Sequence, residues 1–223
     1  ILKSRFLLCV PAARHLRYAW FRDRLRRGGV NRIATAHTLD DQAETVLMRT
    51  LRGAGTRGVA GIYPALDAEL EGEAQPPAAA SAAGEVARFH TSIIRPLLRL
   101  RRSGLLDYLR SCGQEWREDE SNRDTRHLRN RIRLELLPLL ERDYNPQVAD
   151  VLANHAEVAR AEEAYWQEQV AQALPRTVST NRHENQAALV PELLLAQPLA
   201  MQRRLVRAAA EAAGLRLEFR DVE

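Results

Sequence analysis

The sequence predicts an α/β fold in which an open parallel sheet, flanked by helices, is followed by a segment that is helical throughout. Three observations carry that expectation. A short apolar strand, Ile33–Ala36, lies between two helical periods; β-favouring residues recur over Val86–Ile94; and apolar residues fall at helical spacing from Pro146 to about Leu174. At 223 residues, 45% of them hydrophobic, the chain can bury one sizeable core or two modest ones.

Pro11 is suited to open the first helix, with Leu16, Ala19, Trp20 and Leu25 turned inward, and the Gly28-Gly29 pair to close it. After the strand, Asp41 is expected as the N-cap of a second helix. Glu44 sits three residues on, the capping-box spacing, and Val46, Leu47, Thr50 and Leu51 recur at helical intervals until Gly53 stops the helix. This order places His37, Asp40, Asp41 and Glu44 where a strand hands over to a helix, the place where open parallel sheets bind ligands. A helix start favours one acid in any protein, but a second acid, a preceding histidine and a glutamate one turn on add hard oxygen donors suited to Mg²⁺ held with phosphates. Gly53-Ala54-Gly55-Thr56-Arg57-Gly58 fits the dinucleotide fingerprint in letters, yet that motif must follow a strand and here it follows a helix. Its glycines predict a tight loop that exposes Arg52 and Arg57.

From about residue 65 to 90, small, acidic and proline residues lack any apolar period, which predicts a mobile loop. Val86–Ile94 then reads as a strand bounded by Pro96, and a short helix spans Ser103 to about Cys112 with Gly113 ending it. Asp119–Arg133 forms a second polar centre. Its loop of Asp119, Ser121, Asn122 and Asp124, the last an expected N-cap, leads into a helix carrying Arg126, Arg129 and Arg133 on one face. Leu128, Ile132, Leu136 and Leu139 or Leu140 take the other face, and Pro138 is expected to kink or end the helix. By themselves these residues allow either a solvated basic face or a phosphate-binding one. A long helix from Pro146 carries Val148, Val151, Leu152, Val158 and Val170, with Tyr165 and Trp166 read as packing rather than base-stacking residues; Leu189–Ala213 adds helix interrupted near Pro198.

Formal charge is only +4, but it is unevenly placed. Residues 1–60 carry 12 basic and 4 acidic side chains, residues 95–142 carry 12 and 8, and residues 143–223 carry 8 and 12, so a phosphate-binding face belongs to the first two segments. Charges interrupt every apolar stretch, no membrane span or signal pattern is present, and a cytosolic, non-membrane protein is expected. Cys9 and Cys112 are too few and too distant for a disulfide framework or zinc site.

Ala34–Thr45, continued by Val46-Leu47-Met48-Arg49-Thr50-Leu51-Arg52-Gly53-Ala54-Gly55-Thr56-Arg57-Gly58-Val59-Ala60-Gly61-Ile62, resembles the tRNA(Ile)-lysidine synthetases. Ile93-Ile94-Arg95-Pro96-Leu97-Leu98, Trp116–Asn122 and Arg129–Pro138 resemble later motifs of that family, in its order. The resemblance implies a partial doubly wound parallel sheet of the PP-loop ATPase type over residues 1–142, and a helical tRNA-recognition domain over 143–223. It implies ATP and Mg²⁺ as cofactors, free lysine and isoleucine tRNA as partners, and leaves room for a homodimer. The reaction it implies is adenylation of the wobble cytidine followed by displacement of AMP by lysine. Asp41, Arg133 and Arg17 are the catalytic positions so implied; His37, Asp40 and Glu44 are expected at the cofactor, with Asp40 and Asp41 on the metal. Arg52, Arg57, Arg126, Arg129 and Arg131 are expected on tRNA. The absence of paired cysteines favours amine ligation over sulfur transfer.

The chain departs from the family pattern in two places. Ala36-His37-Thr38 stands where the family shows Gly-His-His, and the Ser-Gly-Gly-x-Asp-Ser loop that cradles pyrophosphate occurs nowhere in these residues. Ile1–Val10 matches no recognisable family segment, and the expectation is of a fragment that forms adenylate poorly. Two alternatives follow: another PP-loop enzyme modifying tRNA, or a tRNA-binding module without catalysis.

Overall fold

In a computed structural model, whose description covers residues 2–67, 92–117, 123–181, 186–215 and 217, the first element is helix α1 (Leu2–Arg26). It runs through Pro11 instead of starting there; an internal proline forfeits one i→i−4 hydrogen bond but not the rest. Tyr18 and Leu25 are its buried residues, with Phe21 packed beside them, so Leu16, Ala19 and Trp20 face solvent and not the core. Positions 18, 21 and 25 share a helical face, and the Tyr18 hydroxyl anchors that face by accepting a hydrogen bond from Arg95. Gly28 and Gly29, at φ +77° and +86°, end the helix as expected.

Strand β1 (Arg32–Ala34) begins one residue earlier than expected and stops two residues sooner. The chain then forms β2 (Ala65–Asp67) and β3 (Ser92–Ile94), in spatial order β1-β3-β2. β1 and β3 are parallel, as expected, but β2 joins antiparallel, so the described sheet is mixed. Residues 65–67 therefore form an edge strand and not the start of a loop. Leu66 lies opposite Ile93, and together with Tyr18 and Leu25 they form a core beneath α1, lined by Ile33 and Tyr63. Each such side chain contributes about 1.5–3 kcal/mol on burial. The rest of the expected loop and the first part of the expected strand, residues 68–91, lie outside the described residues, as do Asp119, Ser121 and Asn122.

Helix α2 (Leu39–Leu51) starts earlier than expected because Thr38, not Asp41, is its N-cap. The Asp41 N–H donates to Thr38 Oγ1 at 3.3 Å, and the Thr38 N–H donates to Asp41 Oδ2 at 2.9 Å, a reciprocal capping box. Gly53 follows at φ +78°, then the short α3 (Thr56–Val59) and α4 (Arg102–Ser111). A helical run begins with α5 (Leu128–Arg131), widens to a π-turn at Ile132–Leu136 and continues as α6 (Leu137–Asp143). The run does not end at Pro138. The turn before it widens, with the Leu137 N–H bonding the carbonyl of Ile132, and proline occupies the first turn of α6, where no N–H is needed. Asp124 is not the N-cap of this run; His127 precedes it, without a side-chain cap. Leu39, Ala43, Ile132, Leu137 and Ala149 form a second core between α2, this run and α7 (Val148–Thr177).

The chain divides into two compact units, residues 1–163 and 164–223, a division that falls inside α7. Val148, Ala149, Leu152 and Ala153 pack in the second core of the first unit, which is why the first turns of α7 belong there. The second unit contains a hairpin of β4 (Val178–Asn181) and β5 (Gln186–Leu189), then α8 (Pro191–Leu195) and α9 (Leu199–Ala212). The sequence reading has no hairpin there and begins a helix at Leu189, the last residue of β5. α9 packs on the hairpin and buries Met201, Leu205 and Ala209. Tyr165 is exposed and not packed inward; its ring meets Trp166 edge-on, while Arg204 lies over the Trp166 face at 5.0 Å. No helix among the described residues is long and apolar enough to cross a membrane.

Candidate active site

Asp41 and Glu44, three residues apart on α2, face the same way, and so do Arg129 and Arg133, four apart on the later helical run. The two pairs meet. Arg129 donates from Nε to Glu44 Oε2 at 2.8 Å and from Nη2 to Asp41 Oδ1 at 2.9 Å. Arg133 donates from Nε to Glu44 Oε1 at 2.5 Å and from Nη2 to Asp41 Oδ1 and Glu44 Oε2, both at 3.1 Å. Glu44 is only 1% exposed, so its charge is tolerable only because two guanidiniums enclose it. Burial pushes the Asp41 carboxyl up, but hydrogen bonds from Thr38 and the charges of Arg129 and Arg133 outweigh it and leave its pKa lowered. Burial likewise pulls Arg133 down, and the bonds to Glu44 and Asp41 reverse that, raising it. The cluster is thus four fixed charges summing to zero.

Asp40, the next residue, points elsewhere. Its Oδ2 accepts the backbone N–H of Arg102 at 2.6 Å and its Oδ1 accepts from Arg101 at 3.3 Å. Arg101 also bonds Glu141 at 2.8 Å and approaches Asp150 at 3.9 Å, which ties the starts of α2 and α4 to α6 and α7. The oxygens of Asp41 are equally engaged: Oδ2 by the Thr38 N–H and hydroxyl, each at 2.9 Å, and Oδ1 by both arginines. Every carboxylate oxygen of the pair faces a donor, and the two side chains serve different clusters. No group of three metal-ligating side chains converges among the described residues. The adjacent acids do not fit a shared Mg²⁺ cage in this arrangement, because a cation there must displace guanidinium from Asp41 and unfasten Asp40 from α4.

His37 lies beyond the end of β1, with Nδ1 3.1 Å from Thr35 Oγ1. Burial lowers its pKa to about 4; the charges of Arg95, Arg129 and Arg14 act the same way, and Asp41 opposes them. The imidazole is therefore neutral at pH 7 in a locally positive setting. Arg95 follows β3, the parallel neighbour of β1. It is 5% exposed, donates to the Tyr63 carbonyl at 2.5 Å and the Tyr18 hydroxyl at 2.9 Å, and its Nε has no partner among the described residues. Neutral acceptors hold this buried cation, and it leaves positive potential at the mouth of the two parallel strands, suited to an anionic ligand.

The remaining expected residues are dispersed. Arg17 is exposed on α1; among the described residues Asp41 and Glu44 pair with Arg129 and Arg133, not with Arg17. Arg126 does not share a helical face with Arg129 and Arg133: it precedes α5 and grips Asp124 at 2.7 Å while largely exposed. Arg131 is exposed beside the cluster, and Arg52 and Arg57 are exposed on the glycine loop. Arg129, expected on tRNA, is instead bound into the acid cluster. Sequence reading missed Thr38, although Thr-x-x-Asp before an apolar run is a capping signal; it missed Arg14, which nothing local marks, and gave no role to Arg95 although that residue lies in the Ile93–Leu98 motif.

A model of the PP-loop domain matches residues 3–140, which includes most of the segment Ile1–Val10 that sequence reading leaves unmatched. The chain belongs to the PP-loop domain family. It is also similar to curated proteins that carry the name tRNA(Ile)-lysidine synthase. The one from Solibacter usitatus is 39% identical over 200 residues, covering 90% of this chain and 40% of its own length. The one from Geobacter sulfurreducens is 38% identical over 198 residues, covering 89% and 37%, and the one from Thermus thermophilus 40% over 208 residues, covering 93% and 35%. This PP-loop chain thus spans well under half the length of these relatives.

Proposed function

We propose that this PP-loop chain contributes the adenylating and tRNA-holding parts of a tRNA(Ile)-lysidine synthase, in which ATP activates the wobble cytidine of an isoleucine tRNA and the side-chain amine of free lysine displaces AMP. The names of the relatives support the substrate, and the family supports the use of ATP. The observation that carries the chemistry is the Asp41–Glu44–Arg129–Arg133 cluster beside the ends of two parallel strands. In this reading the described strands belong to a doubly wound sheet of the 1–142 domain, and residues 143–223 to a tRNA-recognition domain.

Arg133 is the group that stabilises negative charge as the base is adenylated and AMP departs. Its guanidinium is aimed by Asp41 and Glu44 before substrate arrives, and such preorganised charge is worth about 2.7–4 kcal/mol of barrier lowering. Glu44 and Arg129 are positioning residues. Neutral His37 accepts or donates a hydrogen bond at the strand mouth without adding charge, and Arg95 and Arg14 keep that mouth attractive to phosphate. Any Mg²⁺ brought by ATP would be held by its phosphates, since the oxygens of Asp40 and Asp41 already accept from Arg101, Arg102, Thr38, Arg129 and Arg133. Arg17, Arg52, Arg57, Arg126 and Arg131, all exposed, are the proposed outer contacts, and a cytosolic setting supplies ATP and tRNA.

The test is pyrophosphate release with ATP, lysine and isoleucine tRNA, with mass spectrometry of the modified nucleoside. Lysidine formed by the intact enzyme and lost in its Arg133→Ala variant supports the reading; a different modified base, or unchanged turnover in that variant, overturns it.

A further inference from the structure

The glycine-rich loop after α2 is held from inside by two side chains of α2 and one that comes from far away in the sequence, on α7. Arg49 Nη1 donates to the carbonyls of Gly58 and Gly61, both at 3.0 Å. Arg160 Nη1, from α7, donates to the carbonyls of Ala60 at 3.0 Å and Ile62 at 3.3 Å. Gln42, 1% exposed, accepts the Ile62 N–H at 2.6 Å and donates to the Ile62 carbonyl at 3.3 Å. Four carbonyls in five residues thus accept from side chains, with that of Gly58 also taking the Gly61 N–H at 3.3 Å. The glycines fit this clasp: a Cβ at Gly58 would lie 2.4 Å from the Cβ of Ala54, and one at Gly61 2.8 Å from Gln42 Oε1, with φ +66°.

Arg160 is the informative member. Its hydrogen bonds all go to backbone carbonyls, and among the described residues it forms no ion pair. Burial pulls its pKa down, opposed by Glu157 and Tyr63. A half-buried cation so employed fixes a backbone, and the segment it fixes includes exposed Arg57 and follows exposed Arg52.

We infer that Arg160, with Gln42 and Arg49, is a positioning residue that holds the Gly53–Ile62 loop in the one shape that presents Arg52 and Arg57 together to the phosphate backbone of tRNA. The inference rests on the reading of those two arginines as tRNA contacts. Phosphate contacts by arginine set affinity and its salt dependence, each removing about 0.7–0.9 from the slope of log K against log salt when lost. A loop held from inside supplies both contacts without first being ordered.

Arg160→Met keeps the bulk of the side chain and removes its donors; Arg160→Lys retains a charge and donors. In the 223-residue chain, Arg160→Met is expected to speed amide exchange across Gly53–Ile62 about tenfold or more while exchange in α2 and the sheet is unchanged, with Arg160→Lys recovering part of the protection. Isoleucine tRNA binding, measured from low to moderate salt, is expected to weaken about tenfold in Arg160→Met, with its salt slope falling toward that of Arg52→Ala/Arg57→Ala. Unchanged exchange in the loop overturns the clasp. Faster exchange with an unaltered salt slope, in a protein whose Arg52→Ala/Arg57→Ala variant does lose slope, overturns its positioning role. If the Arg52→Ala/Arg57→Ala variant binds tRNA as the unaltered chain does, or neither binds, the reading of those arginines falls and loop exchange alone decides the clasp.

Discussion

Asp40 and Asp41 are neighbours on one helix turn, and each ends among arginines and another acid, yet the two clusters differ in what surrounds them. Around Asp41, Glu44 is buried at 1% exposure and Arg129 and Arg133 are at 34% and 24%, beside the ends of β1 and β3. Around Asp40, Arg101 and Glu141 are about one-third exposed and Asp150 nearly half, where the starts of α2 and α4 meet α6 and α7. The chemistry is nearly identical. Position and solvent separate the group of charges to which the proposed function gives the chemistry from one that fastens helix ends.

That contrast is sharpest in turnover. Arg133→Ala is expected to lower the rate about 10²–10³-fold, whereas Arg101→Ala leaves the chemical step within about threefold; pyrophosphate release by both variants decides it. Equal losses would erase the distinction. In stability the same contrast recurs. Glu44→Gln leaves two guanidiniums facing a neutral amide and is expected to cost about 3 kcal/mol in urea unfolding, against under about 1 kcal/mol for Glu141→Gln, whose pair is solvent-screened. Asp40→Asn weakens the hold on the first N–H of α4 and is expected to cost about 1 kcal/mol with turnover intact, whereas Asp41→Asn is expected to lower turnover as well as stability.

The smallest effect is on pH dependence. His37 titrates near 4 when folded and near 6.5 when unfolded, so the unfolded chain binds a proton in that window that the folded chain refuses. Stability is full above about pH 6.5 and declines as pH falls toward 4. His37→Gln should flatten urea-unfolding stability across that interval; an unchanged slope would show that the imidazole is not held neutral at the strand mouth. Asp41 acts lower on the scale: its lowered pKa stabilises the fold above its ordinary carboxylate value and is lost only in stronger acid.

Much of the first unit was legible because local signals agree there. Gly28-Gly29, Gly53 and Gly113 end helices where left-handed backbone is required, and β1 carries the acids at its exit as strand-to-helix order demands. Where expectation and structure part, a competing local choice decided. Tyr18 rather than Leu16 faces the core because its hydroxyl has Arg95 to meet, and Thr38 caps α2 because its hydroxyl takes the Asp41 N–H, so the helix starts before Asp41. The β4–β5 hairpin was invisible because residues 178–181 and 186–189 carry no alternation strong enough to outweigh the helical periods around them.

Local backbone preference and the spacing of charges are written in the chain itself: the helix ends, the strand before His37, and the matching intervals of Asp41 with Glu44 and Arg129 with Arg133. Partnership is not. Which acid met which arginine, that Asp40 turned to α4, and that Arg160 reached back to the loop at Ala60 and Ile62 were decided only when the chain closed on itself. A residue's rotamer and solvent are set by neighbours that sequence distance does not reveal.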